Sequence, residues 1–450
     1  MNKDCELLIV GGGISGSIAG IAAARAGVKT LMIEQNGYLG GMLTAGGVGP
    51  MMTFHAGDIQ VVRGITGELI ERLKEKGFST GHLFDTTGYT YSVTPFDPEG
   101  MKSELEQMFL QAGGTILFHT MLADVSVMDK KIQSLRICNK SGLSTLSADV
   151  YIDATGDADL SARAGVDCIK GRESDGLNQP LTMNLRLGNV DIDKVRNFIR
   201  SHPDEFPKLN GDTSIVDRSE RLSMGGFVNI MKEARKRGEI SFDREIVLFF
   251  ETNNRGEVIV NTSRISGLDP TNPSDLSRAE IEGRKQTAEL LPFLRKRIPG
   301  YENAVALYSG PAIGVRSSRQ IKGLYTLNEE DILSARKFDD AIACYGYPID
   351  IHSPGGEKTE SRHLKWGDIY TIPYRSLINN KIKNLITVGR CISSTFAAQA
   401  SFRTTPGAGA IGHGGGAAAA AAVKDGKDFD KLDFKSIKTL LIEQNAYLKG

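Results

Sequence analysis

Short apolar runs recur along the chain in two rhythms. "CELLIV", residues 5–10, is continuous and runs into glycine, the pattern of a strand buried on both faces. "SIAGIAAARAG", closed by Gly27, reads as a small-residue helix, and "VKTLMIE" as a second strand ending at Glu34. "MKSELEQMFLQAGG" predicts a helix and "TILFHT" a strand. Next come "ADVSVMD", "KIQSLRIC" and "LSADVYID", read as a β-meander ahead of the turn Ala154-Thr155-Gly156-Asp157. From about residue 166 the rhythm changes. "VDIDKVRNFIRSHPDEF", "GGFVNIMKEARKRGE" and "DLSRAEIEGRKQTAELLPFLRKRIPG" carry apolar residues at helical spacing among charges, and "EIVLFFETN" with "EVIVNTS" predicts a hairpin.

This order of elements predicts an α/β fold. Residues 1–165 and 311–425 build one Rossmann-like domain, interrupted by an inserted α+β cap over residues 166–310. Residues 426–450 close the chain with a helix. "NLITVGRCISS" is a late strand feeding Gly389 and Arg390, and Pro406 suits the first turn of a helix through "AIGHGGGAAAAAAV". His413 and Gly414 to Gly416 stand inside that helix. Each internal glycine costs up to ~1 kcal/mol relative to alanine, so a loose first turn is expected.

Two stretches fit the dinucleotide pattern G-x-G-x-x-G: "GGGISG", Gly11 to Gly16, and "GAGAIG", Gly407 to Gly412. Only the first lies between a strand and a helix, with an acidic residue ending the next strand, and that context gives the pattern its meaning. Gly11 permits the turn, and Gly13 lets phosphate oxygens approach the backbone. Ile14 and Ser15 complete the cofactor-binding loop, and Gly16 lets the helix that follows lie close on the sheet. The helix N-terminus offers unpaired N–H groups to a pyrophosphate. Glu34, with Gln35 beside it, is placed to accept hydrogen bonds from both ribose hydroxyls. Gly40, Gly41, Met42 and Thr44 follow at once, where an NAD-type domain would continue with an ordinary crossover helix. Close backbone passage there suits a longer ligand, FAD. "GAGAIG" follows no strand, so it is not a second adenine-side loop.

The 54 basic and 54 acidic residues cancel, and no run of like charges reaches five. Nothing marks a surface for nucleic acid or an anionic membrane. The five cysteines are far apart without a C-x-x-C, which speaks against a zinc site or a disulfide framework and for reduced thiols. Asp4 and Glu6 spoil a signal peptide, and no other apolar stretch reaches the ~18 residues of a bilayer span. The expectation is a cytoplasmic, unanchored protein with a small-molecule substrate, no metal, and homo-oligomers left open.

"GGGISG…MIEQNGYLGGMLT", "YIDATGDADL", "GVRSSRQIKGLYTLNEEDIL", "KFDDAIACYGYPIDIH" and "LITVGRCISSTFAAQASFR" together resemble the FAD-dependent oxidoreductases of the glutathione-reductase-2 superfamily. That group includes the flavoprotein subunits of fumarate reductase and succinate dehydrogenase. More narrowly, the chain resembles a bacterial FAD-dependent oxidoreductase family carrying a xanthan-lyase-related label, from residue 5 to about residue 425. The resemblance implies that the turn at Ala154, Thr155, Gly156 and Asp157 packs against the first glycine loop. It also implies that backbone at Ala123 faces the adenine, and that Gly389 and Arg390 join the FAD site. The helix opening at Pro406, Gly407, Ala408, Gly409 and Ala410 then points its N-terminus at the flavin N1–C2=O edge. A partial charge of about +0.5 there would stabilise the reduced anionic ring. The two glycine stretches become two halves of one site.

Candidate chemistry follows from the same resemblance and from local patterning. Arg403 resembles the arginine that grips a substrate carboxylate in fumarate reductases. Arg316 and Arg319 would share a face on a helix but diverge on an extended run. Asp350 and His352 alternate onto one side of a strand, as a histidine base oriented by a carboxylate or as a polar pair at a domain seam. Tyr374, Arg375 and His55 are further candidates, and Cys391 reads as a structural thiol. Residues 40–49 hold no histidine, so FAD is expected to be noncovalent. The expected activity is hydride transfer between FAD and a small organic substrate between cap and FAD domain. The alternatives are an electron-transfer subunit working with a partner protein and, further off, a tRNA-modifying flavoprotein.

Overall fold

A computed structural model describes residues 3–355 and 359–449. Its central sheet has five parallel strands, in the order Leu385–Thr387, Val150–Asp153, Leu7–Val10, Thr30–Ile33 and Thr115–Leu117. The register aligns Thr387, Asp153, Val10, Ile33 and Leu117 in one row. All five strands therefore stop at the same edge, and the turns that follow them gather there. Every residue of Leu7–Val10 and Thr30–Ile33 is buried, which is why these runs do not alternate.

The helix Ile14–Arg25 covers one face of this sheet, and the long helix Thr405–Asp425 packs beside it. Side chains on Gly412 and Gly416 would run into the carbonyl oxygens of Ser15 and Ala19. Gly414 and Gly415 meet Ile342 and Val388 in the same way. The expected loose first turn is corrected by the structure: the helix is continuous from Thr405, with Pro406 in its first turn. Its glycines are buried where a neighbour's atoms fill the space of a side chain, so close packing offsets their low propensity.

The meander also differs from expectation. Its strands are Met121–Met128, Lys131–Asn139 and Gly142–Leu146, while Val150–Asp153 crosses into the parallel sheet. The reason is polarity: Gly142–Leu146 is mostly exposed, whereas Val150–Asp153 is buried throughout.

A second five-stranded sheet is antiparallel, in the order Ser223–Gly226, Val247–Glu251, Val258–Val260, Leu185–Gly188 and Val305–Ser309. The expected hairpin is its middle pair. It has its own core, to which the helix Pro273–Arg297 contributes Leu290, Phe293 and Leu294. Asn272 caps that helix by accepting from the N–H groups of Ser274 and Asp275. The Thr86 hydroxyl donates to the Ser223 carbonyl at 2.7 Å, which ties a loop from the first part of the chain to this sheet. Among the described residues no helix is long and apolar enough to cross a membrane.

Candidate active site

A cavity of about 990 Å³ runs along the edge where the parallel strands end. That is the upper end of the range for small-molecule sites, ~300–1,000 Å³. The edge itself is the carboxyl edge of the sheet, where open α/β sheets bind ligands. One end of the cavity is the first glycine loop. Gly11 sits at φ +101°, and a Cβ there would come within 2.6 Å of the Ala154 carbonyl oxygen. Gly16 is pressed against the Gly11 carbonyl and stands behind the wall rather than in it. Gly13 differs, because the only atom near its missing Cβ is the Gly41 Cα at 3.9 Å. It leaves an open cradle on the cavity side, at the N-terminus of Ile14–Arg25, where a pyrophosphate fits.

Glu34 lines the cavity with its carboxylate already engaged. Oε2 accepts from the Gly12 N–H at 2.6 Å, and Oε1 accepts from the Asn36 backbone and side-chain N–H groups at 2.8 and 2.7 Å. A carboxylate has about four acceptor positions, so one remains on Oε2. Gln35, Gly41 and Met42 line the cavity too. Gly40 and Thr44 shape this wall from behind, with the Thr44 hydroxyl donating to the Leu39 carbonyl at 2.8 Å. Thr120, Met121 and Leu122 line the next stretch, and Ala123 lies just beyond it.

The turn from Ala154 to Asp157 lines the middle of the cavity and is shaped by buried Asp153. One Asp153 oxygen accepts from the backbone and hydroxyl of Thr155, the other from those of Ser161. Arg390 folds back onto Gly156 and pairs with Asp157 at 2.5 Å. Gly389, at φ +84°, lies against the Ser15 side chain, and the Ser15 hydroxyl donates to the Ala408 carbonyl at 2.8 Å. The first glycine loop is thereby tied to the opening turn of Thr405–Asp425. No side chain caps that helix N-terminus, and Thr405 and Ala408 face the cavity. Pro406, Gly407, Gly409 and Ala410 lie outside the lining, with Gly407 against Tyr345 and Gly409 against Thr66.

The far end of the cavity is a buried polar cluster. Arg403, in the corner between the helices Phe396–Phe402 and Thr405–Asp425, reaches Asp350 at 3.6 Å and donates to the side chain of Gln179 at 3.3 Å. Asp350 and His352 project together from the strand Ile349–His352, with Nε2 and Oδ2 3.3 Å apart. Burial opposes ionisation of Asp350, but His352, Arg403 and Arg316 hold its carboxyl well below the usual range. Burial, reinforced by Arg316, pushes His352 down to about 3, so its ring is neutral. Arg316 donates to the Pro180 carbonyl at 2.5 Å and to Thr182.

Arg316 and Arg319 diverge as an extended run requires. Arg316 lines the cavity; Arg319 starts the strand Arg319–Ile321 and pairs with Asp159 at 2.9 Å outside the polar cluster. Two further candidates are placed away from the cavity. Tyr374 donates its hydroxyl to the Phe429 carbonyl at 2.9 Å, and Arg375 pairs with Asp340 on the surface. Both follow the strand Tyr370–Pro373, whose alternation fixes two sides but not which side meets the cavity. His55 is held by Ser92 at 2.9 Å, outside the lining. Cys391 is buried, and burial pushes its thiol well up. Sequence reasoning missed Arg244, Tyr89 and Asn261, which line the cavity from separate loops, and Gln179, which accepts from Arg403 and the His352 N–H; none carries a local signature.

The description "FAD dependent oxidoreductase" belongs to a family that matches residues 6–441. A thiamine thiazole synthase of Methanococcus aeolicus is 30% identical over 185 residues, 39% of this chain and 62% of that protein. The chain thus spans less than two thirds of that relative. Among solved structures, a geranylgeranyl bacteriochlorophyll reductase-like protein of Thermoplasma acidophilum aligns over 98% of this chain and 84% of its own, at 14% identity and a TM-score of 0.49. A flavin-dependent brominase aligns over 98% and 85%, also at 14% identity and 0.49.

Proposed function

The chain belongs to the FAD-dependent oxidoreductase family, and on that premise we propose that it oxidises or reduces a small organic substrate held between its two sheets. The parallel-sheet part, residues 1–165 and 311–425, is read as the FAD domain, and residues 166–310 as the cap over the substrate. The observation that carries this reading is the continuity of the cavity: one space joins the glycine loop to the cluster of Arg403, Asp350 and His352.

Bound in this cavity, FAD supplies hydride chemistry. The open cradle at Gly13 and the N-terminus of Ile14–Arg25 hold the pyrophosphate, and Glu34 takes a ribose hydroxyl on its remaining acceptor position. Arg390 has a buried Nε without a partner beside Gly156 and Asp157, a donor that an FAD oxygen satisfies. The open N-terminus of Thr405–Asp425 faces the ring end. Arg403 orients an oxygen of the substrate. His352, neutral and fixed by Asp350, is the group that takes the proton when the substrate is oxidised. FAD is read as noncovalent, because residues 40–49 beside the glycine loop carry no histidine and His55, bonded to Ser92, lies outside the lining.

Acid precipitation of the purified yellow protein tests the cofactor reading. FAD is expected in the supernatant by chromatography. Flavin retained by the precipitated chain refutes noncovalent attachment, and an apoprotein with no affinity for FAD refutes the site. Anaerobic stopped-flow mixing with organic acids, steroids and sugars then tests the reaction, read as bleaching or recovery of the flavin absorbance.

A further inference from the structure

Arg244 is a buried arginine that forms no ion pair among the described residues. It is 5% exposed, lines the cavity ahead of the strand Val247–Glu251, and makes no hydrogen bond or ion pair among the described residues. Burial pulls its guanidinium down to about 10, with Arg264 adding repulsion and Asp350 and Glu245 attraction. Arg316 feels Arg403, Arg244 and Asp350 in turn, so these groups form one electrostatic cluster. Counting only Arg244, Arg316 and Arg403 against Asp350, the cluster carries an excess of two positive charges. A buried charge left unpaired is expensive, and a fold retains one where a ligand pairs with it.

Three donors of this cluster are left without a partner. Arg244 Nε, Arg403 Nε and Gln179 Nε2 are buried without a partner, and all three are N–H donors. A cluster whose one carboxylate, Asp350, faces three arginines and whose spare atoms include these donors fits an anion's oxygens. The FAD pyrophosphate does not fill this need, because its place over the glycine loop is separate and has Arg390 nearby.

Resting on the reading of this cavity as a flavoenzyme site, we propose that the substrate is a small organic dianion, bearing two carboxylate or phosphate groups, and that Arg244 is its counter-charge from the cap. Arg316 and Arg403 bind its other anionic group, while Asp350 holds Arg403 and His352 in place. The planar fork of each guanidinium matches two oxygens of such a group.

The test uses the holoprotein at constant ionic strength in chloride, titrated with succinate, inorganic phosphate, acetate and neutral succinamide. Flavin absorbance and melting midpoint are read together. Succinate or phosphate is expected to saturate at least tenfold more tightly than acetate, with no response to succinamide. Saturation by succinate alone assigns a dicarboxylate; saturation by phosphate assigns a phosphorylated acid. Arg244→Gln is expected to weaken the dianion at least tenfold, to keep its FAD, and to melt higher than wild type without the anion. Should that variant not fold, Arg244→Lys and the wild-type charge series decide. Equal affinity for acetate and the dianions, or a folded Arg244→Gln that binds as wild type, overturns the proposal. A preparation without flavin refutes the cofactor reading instead, and its melting midpoint still reports the anion.

Discussion

Gly412 stands directly against the backbone of Ser15: a Cβ on Gly412 would overlap the Ser15 carbonyl oxygen. Ser15 opens the helix at the pyrophosphate cradle, and its hydroxyl donates to Ala408, one turn before Gly412. The helix Thr405–Asp425 is thus held against the helix Ile14–Arg25, and both line the same cavity.

That contact predicts an asymmetry between two helical glycines. Gly412→Ala forces backbone away from backbone, which costs about 1–3 kcal/mol as an overpacked site and lowers FAD content. Gly67→Ala, in the helix Gly64–Glu75, makes ordinary contacts alone, with the Gln60 side chain at 3.5 Å and the Val62 carbonyl oxygen at 3.7 Å. It is expected to be neutral or to stabilise by up to ~1 kcal/mol. Urea denaturation of both variants checks this; equal midpoints would show that the two helices separate freely.

Glu34→Ala removes the acceptor for the Gly12 N–H and for both N–H groups of Asn36, together with the ribose acceptor. Hydrogen bonds to a charged group contribute ~1.5–3 kcal/mol each, so FAD binding is expected to weaken at least tenfold. Titration of the apoprotein with FAD measures it. Unchanged affinity would remove Glu34 from the site.

Arg403→Lys keeps the charge but loses the fork. Once a substrate is in hand, kcat/KM is expected to fall by about 10²-fold, the scale of one lost preorganised donor, with FAD content unchanged. Arg375→Lys is the control, because Arg375 is paired with Asp340 away from the cavity. It is expected to turn over normally. Normal turnover by the Arg403 variant, or loss of its FAD, would make Arg403 a structural residue.

His413 is buried inside Thr405–Asp425, and burial pushes its imidazole down to about 4. The unfolded value lies near 6.5. Between the two the unfolded chain takes up the proton and the folded chain does not. Stability present above pH 6.5 is therefore lost on acidification, by about 1.4 kcal/mol per pH unit for this group. His413→Gln is expected to flatten the dependence of unfolding free energy on pH between about 6.5 and 4 by that slope. Parallel pH profiles for variant and wild type would contradict the buried neutral ring.

The strands at residues 7–10 and 30–33 and the glycine loop between them were legible because their causes are local. An unalternating apolar run demands burial on both faces, and a positive φ with a crowded Cβ site, as at Gly11, demands glycine. Asp350 and His352 could be paired from alternation alone. The same rule could not say that Tyr374 and Arg375 turn away, since a two-residue period names two faces and leaves both unassigned. Arg244 was invisible: in sequence it is one more charged residue beside an apolar strand. The glycines of Thr405–Asp425 looked like a weakness, until Ser15 and Ala19 were found against Gly412 and Gly416.

Sequence by itself determined most of the segments that fold into strands and helices, and the glycine loop that opens the helix Ile14–Arg25, because backbone sterics and periodicity act over a few residues. Tertiary structure alone decided that five strand ends share one edge, that Gly412 packs against Ser15, and that Arg244 is left without a partner among the described residues. Burial and charge pairing depend on groups that only the fold brings together.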